Sequence, residues 1–256
     1  RSAHRFLMMS DLVHHALCGV ARGELTNAST TQLLDANSGK WREDIFKTFG
    51  LPVAIMPEIV QPGTVLGPIR DEIEDETGLR GVPIIAPCTH DTASAVLAVP
   101  AEGEDWAYVS CGTWSLMGVE RSAPVTTREA MRLNFTNERG YGGTYRFLKN
   151  IMGLWVLQEA RRAWAKRGLD YDYEELTEMA REAPPFALEL DIDHPSFFNP
   201  DDMLDAISQY CANTDQRMTS DPGAIARAIL EGVTRRYAMT LRELESLTGR
   251  TIRRVH

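Results

Sequence analysis

Val82-Pro83-Ile84-Ile85-Ala86-Pro87-Cys88-Thr89-His90-Asp91-Thr92-Ala93-Ser94-Ala95-Val96 decides the fold class. The run Val82 to Pro87 predicts a buried strand, and the small residues from Ala93 to Ala98 predict a helix, so strand, polar turn and helix follow one another as in an α/β protein. The turn carries the chemistry. A carboxylate at the carboxyl end of a strand stands where ligands of α/β sheets collect, and Asp91 there is a candidate to take a proton from a substrate hydroxyl. Position alone favours a second reading, because capping is the default task of Asp91 or Thr92 at a helix start, and His90 alone is more often a hydrogen-bonded structural histidine.

Downstream, two short strands, Ala107 to Ser110 and Ser115 to Val119, flank Cys111-Gly112-Thr113-Trp114, the pattern of a hairpin with a tight turn. Gly112 lets backbone approach a ligand, and the turn's amides with the Thr113 hydroxyl suit phosphate oxygens. A second hairpin is predicted around Leu133 to Thr136 and Thr144 to Leu148, bracketing Gly140, Gly142 and Gly143. Helices are predicted over 151–167, 173–182, 203–210 and 221–247. The last has Ile225, Ile229, Val233, Tyr237, Leu241 and Leu244 at helical steps, Asp221 as N-cap, Pro222 in the first turn and Gly249 past its end. Asn150 and Gln158, eight positions apart, are read as two amides on similar faces of the helix starting near Ile151, or as an N-cap and an unrelated surface glutamine. Upstream, helices are predicted at 5–19 and 41–49, and Pro52, Pro57, Pro62 and Pro68 punctuate an irregular stretch. A domain boundary is placed near Val99 to Gly103.

The 256 residues carry 27 Lys and Arg against 36 Asp and Glu, a net charge of −9, which argues against a nucleic-acid binder. No run approaches the 18 or so apolar residues of a membrane span, and nothing near Phe6 to Met9 forms a signal peptide. Cys18, Cys88, Cys111 and Cys211 are spaced too widely for a zinc site or a small disulfide scaffold, and read as buried thiols of a reducing cytoplasm. Gly39-Lys40 is followed by Trp41, so there is no Walker A loop, and Tyr145 breaks the dinucleotide fingerprint begun at Gly140. Gly-x-Ser-x-Gly and His-Glu-x-x-His are absent. A cysteine phosphatase lacks its arginine, since Met117 stands six residues beyond Cys111.

Four stretches in one order, Thr26 to Leu33 (TNASTTQL), His90 to Val96 (HDTASAV), Ser110 to Gly118 (SCGTWSLMG) and Leu148 to Trp155 (LKNIMGLW), resemble the FGGY carbohydrate kinases of the actin-like ATPase superfamily. The resemblance covers nearly the whole chain. It implies an incomplete two-domain ribonuclease H-like α/β fold, with 1–98 as the C-terminal part of the sugar-binding domain and 99–256 as most of the nucleotide-binding domain. It further implies transfer of the ATP γ-phosphate, with Mg²⁺, to the 1-hydroxyl of the 6-deoxy-ketohexose L-rhamnulose. L-fuculose or a pentulose as substrate, or a non-catalytic binding homologue, are the alternatives.

On that resemblance Asp91 falls on the catalytic base, with His90 and Thr92 in the sugar-contacting segment. Gly112, Thr113, Asn150 and Gln158 fall on ATP-binding positions, and no residue is assigned to metal. Sugar and ATP are the implied partners, with no nucleic acid or membrane and a cytoplasmic setting. The family's N-terminal Asp-x-Gly phosphate loop and its Gly-rich adenosine turn have no counterpart here, so both ends read as cut and a polypeptide of this length is expected to be inactive alone.

Overall fold

The computed structural model describes residues 3–256 and divides into two compact units. The first comprises residues up to Glu104 together with Gly118–Leu148, and the second Asp105–Met117 with Lys149–His256.

In chain order the first unit begins with α1 (Met9–Cys18), β1 (Gly23–Glu24), α2 (Leu25–Ala28), α3 (Glu43–Phe49), β2 (Ile59–Val60), β3 (Thr64–Pro68), α4 (Asp71–Thr77), β4 (Pro83–Ala86) and α5 (Asp91–Leu97). Gly19, Gly50 and Gly78 end α1, α3 and α4 in the left-handed conformation that lets an N–H turn back onto the last carbonyls. β1 pairs in parallel with β2, and β3 antiparallel with β4.

The strand predicted at 82–87 is present as β4, but it is not buried: only Ala86 is, because within the described residues β4 pairs with β3 alone and leaves much of the ribbon exposed. The punctuated stretch is also more regular than predicted. β2 forms between Pro57 and Pro62, β3 ends on Pro68, and α4 follows it free of proline.

β5 (Trp106–Cys111) and β6 (Ser115–Arg121) form the predicted hairpin. They are followed by α6 (Arg128–Arg132), β7 (Thr136–Arg139) and β8 (Tyr145–Ile151). In the first unit β7 pairs antiparallel with β8, setting Glu138 opposite Arg146. Phe135 stacks on the fully buried Phe147 with ring centroids 5.0 Å apart.

The second unit is mainly helical: α7 (Trp155–Lys166), α8 (Tyr173–Glu182), α9 (Met203–Asn213) and α10 (Pro222–Thr248), then β9 (Arg254–Val255) parallel to β5. Asp172 and Glu175 form a complete capping box at α8, and Asp221 caps α10 through the Gly223 N–H. Ile225, Ile229, Val233 and Leu244 are buried as their spacing predicts, and each contributes about 1.5–3 kcal/mol by leaving water. The same helix buries Gly223 and Gly232, which the apolar pattern did not flag. A Cβ at Gly223 would stand 2.6 Å from the Met179 carbonyl oxygen, and one at Gly232 2.8 Å from that of Leu190, so only glycine allows α10 to lie this close to both. Among the described residues no helix is long and apolar enough to cross a membrane.

Candidate active site

In the first unit the Thr89-His90-Asp91 turn is held from below by Glu24, which is fully buried. Its Oε2 accepts hydrogen bonds from Thr89 N (2.9 Å), Thr89 Oγ1 (2.8 Å) and Thr26 Oγ1 (2.5 Å), and its Oε1 from Thr26 N (2.8 Å). His90 N donates in turn to Thr26 Oγ1 at 3.3 Å. One carboxylate thus ties the start of α2 to the approach of α5, since a buried acceptor is tolerated only when donors converge on it.

Glu24 N donates to Asp11 Oδ1 at 3.1 Å. Burial pushes the Asp11 carboxyl up to about 6. Between the ordinary value of 3.8 and about 6 the folded state keeps a proton that the unfolded state gives up. This group therefore favours folding at pH 4 and loses that contribution as pH rises through 6. Asp11→Asn is expected to melt like the parent at pH 4 and to be more stable by roughly 2–3 kcal/mol at pH 7.5, read from urea midpoints at both pH values.

Asp91 opens α5 with its side chain 97% exposed, and its Oδ1 accepts the Thr92 N–H at 2.6 Å. It is not the N-cap. His90 holds that position with extended backbone and without a side-chain cap, leaving the Asp91 carboxylate free toward solvent. Thr92 is buried, and its hydroxyl lies 3.4 Å from Asp91 Oδ1. The His90 ring lies between two acids, Nε2 3.7 Å from Asp91 Oδ1 and Nδ1 3.5 Å from Glu138 Oε2. Burial, then the Arg146 guanidinium, holds the His90 pKa below the usual imidazole range, and burial raises that of Glu138 against the pull of Arg146.

In the second unit the turn between β5 and β6 is anchored on all sides. Gly112 N donates to Trp114 O (3.0 Å), Gly112 O accepts from Leu154 N (3.0 Å), and Thr113 O accepts from Trp155 N (2.9 Å). Ser115 Oγ meets Tyr237 Oη at 2.6 Å. Burial pushes the Tyr237 hydroxyl up to about 12 with the Cys111 thiol beside it, so it stays a neutral partner of that serine. Gly153 backs the turn, and a Cβ there would stand 2.4 Å from Ser115 Oγ and 2.8 Å from Gly112 O. Because the Gly112 N–H is taken by Trp114, what the turn presents outward are side chains, those of Cys111, Thr113 and Trp114, all exposed.

Asn150 and Gln158 do not share a helix as predicted. Asn150 is an exposed residue near the end of β8, whereas Gln158 lies on α7 and lines a cavity of about 310 Å³ with Arg161, Arg162 and Tyr173. The helix predicted from Ile151 starts only at Trp155, since Leu154 N and Trp155 N bond to the Gly112 turn and Gly153 must fit beneath it.

The sequence reading missed Glu24, Glu138 and Arg146. A signal for the last two exists: across a hairpin closed by Gly140 to Thr144, Glu138 and Arg146 are cross-strand neighbours of opposite charge. Among the described residues no group of three His, Cys, Asp or Glu converges as a metal site.

Residues 1–98 match the FGGY family of carbohydrate kinases, N-terminal domain, and residues 107–256 its C-terminal domain. A rhamnulokinase from Enterococcus faecalis is 39% identical over 97% of the chain and 50% of its own length. A second, from Bacteroides thetaiotaomicron, is 42% identical over 100% of the chain and 52% of its own. The chain thus spans about half the length of the curated relatives it matches. A gluconate kinase from Lactobacillus acidophilus superposes with a TM-score of 0.70 at 17% identity, over 98% of this chain and 51% of that one. The fold is the α/β actin-like ATPase fold of the sugar kinases.

Proposed function

The chain belongs to the FGGY family of carbohydrate kinases, and from that premise we propose that it serves ATP-dependent phosphorylation of L-rhamnulose at its 1-hydroxyl, giving L-rhamnulose 1-phosphate and ADP. The observation that carries the enzymatic part is the exposed Asp91 carboxylate, anchored at one oxygen by Thr92 N with its surface open to solvent. The identity to relatives named rhamnulokinase carries the choice of sugar.

In this reading Asp91 accepts the proton of the sugar 1-hydroxyl as O1 bonds to the γ-phosphorus, the bond from that phosphorus to the β–γ bridging oxygen breaks, and ADP leaves. Phosphoryl transfer asks chiefly for positioning and charge neutralisation, and one oriented carboxylate supplies the base. His90 and Thr92 frame the sugar side. Thr113 with Gly112, and Asn150 and Gln158, serve ATP. A magnesium ion fits as one carried on the phosphates: Mg²⁺ prefers phosphate oxygens and water to an all-protein cage, and the exposed Asp91 carboxylate leaves room for its hydration shell. When bound, Mg²⁺ would neutralise phosphate charge. We place the domain boundary near Val99 to Gly103, and the reaction in the cytoplasm, in keeping with four free thiols.

The test is an ADP-release assay of the natural full-length polypeptide with ATP, Mg²⁺ and a panel of L-rhamnulose, L-fuculose and pentuloses. L-Rhamnulose is expected to give the highest kcat/KM. Preference for another ketose would reassign the substrate, and no ketose-dependent ADP release would remove the kinase reading.

A further inference from the structure

The line of groups Arg146, Glu138, His90 and Asp91, all in the first unit, has a direction. Arg146 is 1% exposed, its Nη2 is 3.0 Å from Glu138 Oε2, and its Nε and Nη2 also face the Arg139 carbonyl at 3.3 Å. Glu138 is therefore pinned from behind. In front of it, 3.5 Å from Glu138 Oε2, stands His90 Nδ1, a buried nitrogen that has no hydrogen-bond partner among the described residues. On the far side of the ring, Nε2 faces the exposed Asp91.

We propose that Glu138, backed by Arg146, is a positioning residue that keeps the proton of His90 on Nδ1, so that Nε2 is a bare acceptor beside Asp91. The proposal rests on the reading of Asp91 as the base of a sugar site. Both ring nitrogens face a carboxylate, but Glu138 is buried beside Nδ1 and paired with Arg146, whereas Asp91 is 97% exposed and screened by water. The pull on a proton is therefore stronger at Nδ1, and in a neutral ring Nε2 then has none.

The consequence falls on Asp91. With a proton on Nε2, the imidazole would donate to Asp91 and occupy the carboxylate that has to receive the sugar proton. Without it, Nε2 and Asp91 are two acceptors side by side. Neither satisfies the other, and together they call for a ligand presenting two adjacent hydroxyl donors. That demand selects polyhydroxylated substrates over a lone alcohol.

The charged and titratable groups facing His90 are Arg146 and Glu138 from the β7–β8 hairpin, Asp91 from α5 and Glu24 from the end of β1. The depressed imidazole pKa agrees with a ring that stays neutral at pH 7.

Long-range ¹H–¹⁵N NMR of the imidazoles tests this on the chain itself, with the His90 signal identified by its loss in His90→Gln. The parent is expected to show a protonated-type Nδ1 and an unprotonated Nε2 at pH 7. In the charge-balanced double variant Glu138→Leu/Arg146→Met, which removes the acceptor without stranding the guanidinium, the ring is expected to change to the Nε2–H form. In the full-length polypeptide kcat/KM for the sugar should then fall about tenfold to a hundredfold, the scale of losing the orienting partner of a working imidazole.

An Nε2–H or doubly protonated ring in the parent overturns the proposal without requiring any variant to fold. So does an unchanged tautomer in a folded double variant. Full turnover by Asp91→Asn would instead remove the sugar-site reading and leave the tautomer result standing.

Discussion

Asparagine at position 91 is expected to yield a protein that still binds sugar and nucleotide but transfers phosphate about a hundredfold to ten-thousandfold more slowly, the range spanned by a lost general base. Asparagine keeps the carbonyl oxygen that accepts the Thr92 N–H at 2.6 Å, so the opening of α5 should not move. The side chain is 97% exposed and is not the N-cap, so its replacement should alter stability by no more than about 0.5 kcal/mol. What it removes is the ability to take a proton. Single-turnover phosphate transfer by the full-length polypeptide, read beside calorimetric titration with L-rhamnulose, separates chemistry from binding. An unchanged rate removes Asp91 from the role of base. A loss of sugar binding equal to the loss of rate would make it a binding group instead.

The segment bearing Asp91 was legible because strand, polar turn and small-residue helix are local patterns, and α5 begins where the turn predicts. Helix α10 was legible for the same reason: Asp221 with Pro222 is a signal complete within two residues. Asn150 was misplaced because Lys149-Asn150-Ile151 has no intrinsic preference strong enough to mark the end of a strand. That end is set by Gly153 beneath the Gly112 turn, a contact made some forty residues away in sequence. Burial of the 82–87 strand was over-read from its apolar composition, since apolar side chains also occupy a two-stranded ribbon open on one face. Nothing local distinguishes Glu24 from any acid between a glycine and a leucine. Its partners at Thr89 lie 65 positions downstream, and only folding reveals that a carboxylate is their shared acceptor.

That remoteness is why Glu24 is expected to be among the costliest single replacements in the first unit. Glu24→Ala removes the acceptor of the Thr26 and Thr89 N–H groups and of both threonine hydroxyls, and also that of the Asn27 N–H at 3.3 Å. The Glu24 side chain is fully buried, so water does not replace these bonds without opening the structure. Leaving a buried donor without a partner costs about 1–3 kcal/mol, and a truncation that strands several belongs in the rare class above about 4 kcal/mol. Glu24→Gln keeps the shape and one acceptor oxygen but turns an N–H₂ group toward donors, so it should lose roughly 2–3 kcal/mol, between the parent and the alanine variant. Urea unfolding at pH 7.5 orders the three proteins. An alanine variant within about 1 kcal/mol of the parent would mean that the Thr89-His90-Asp91 turn is held by its own backbone, and that the carboxylate beneath it is a passenger rather than the tie.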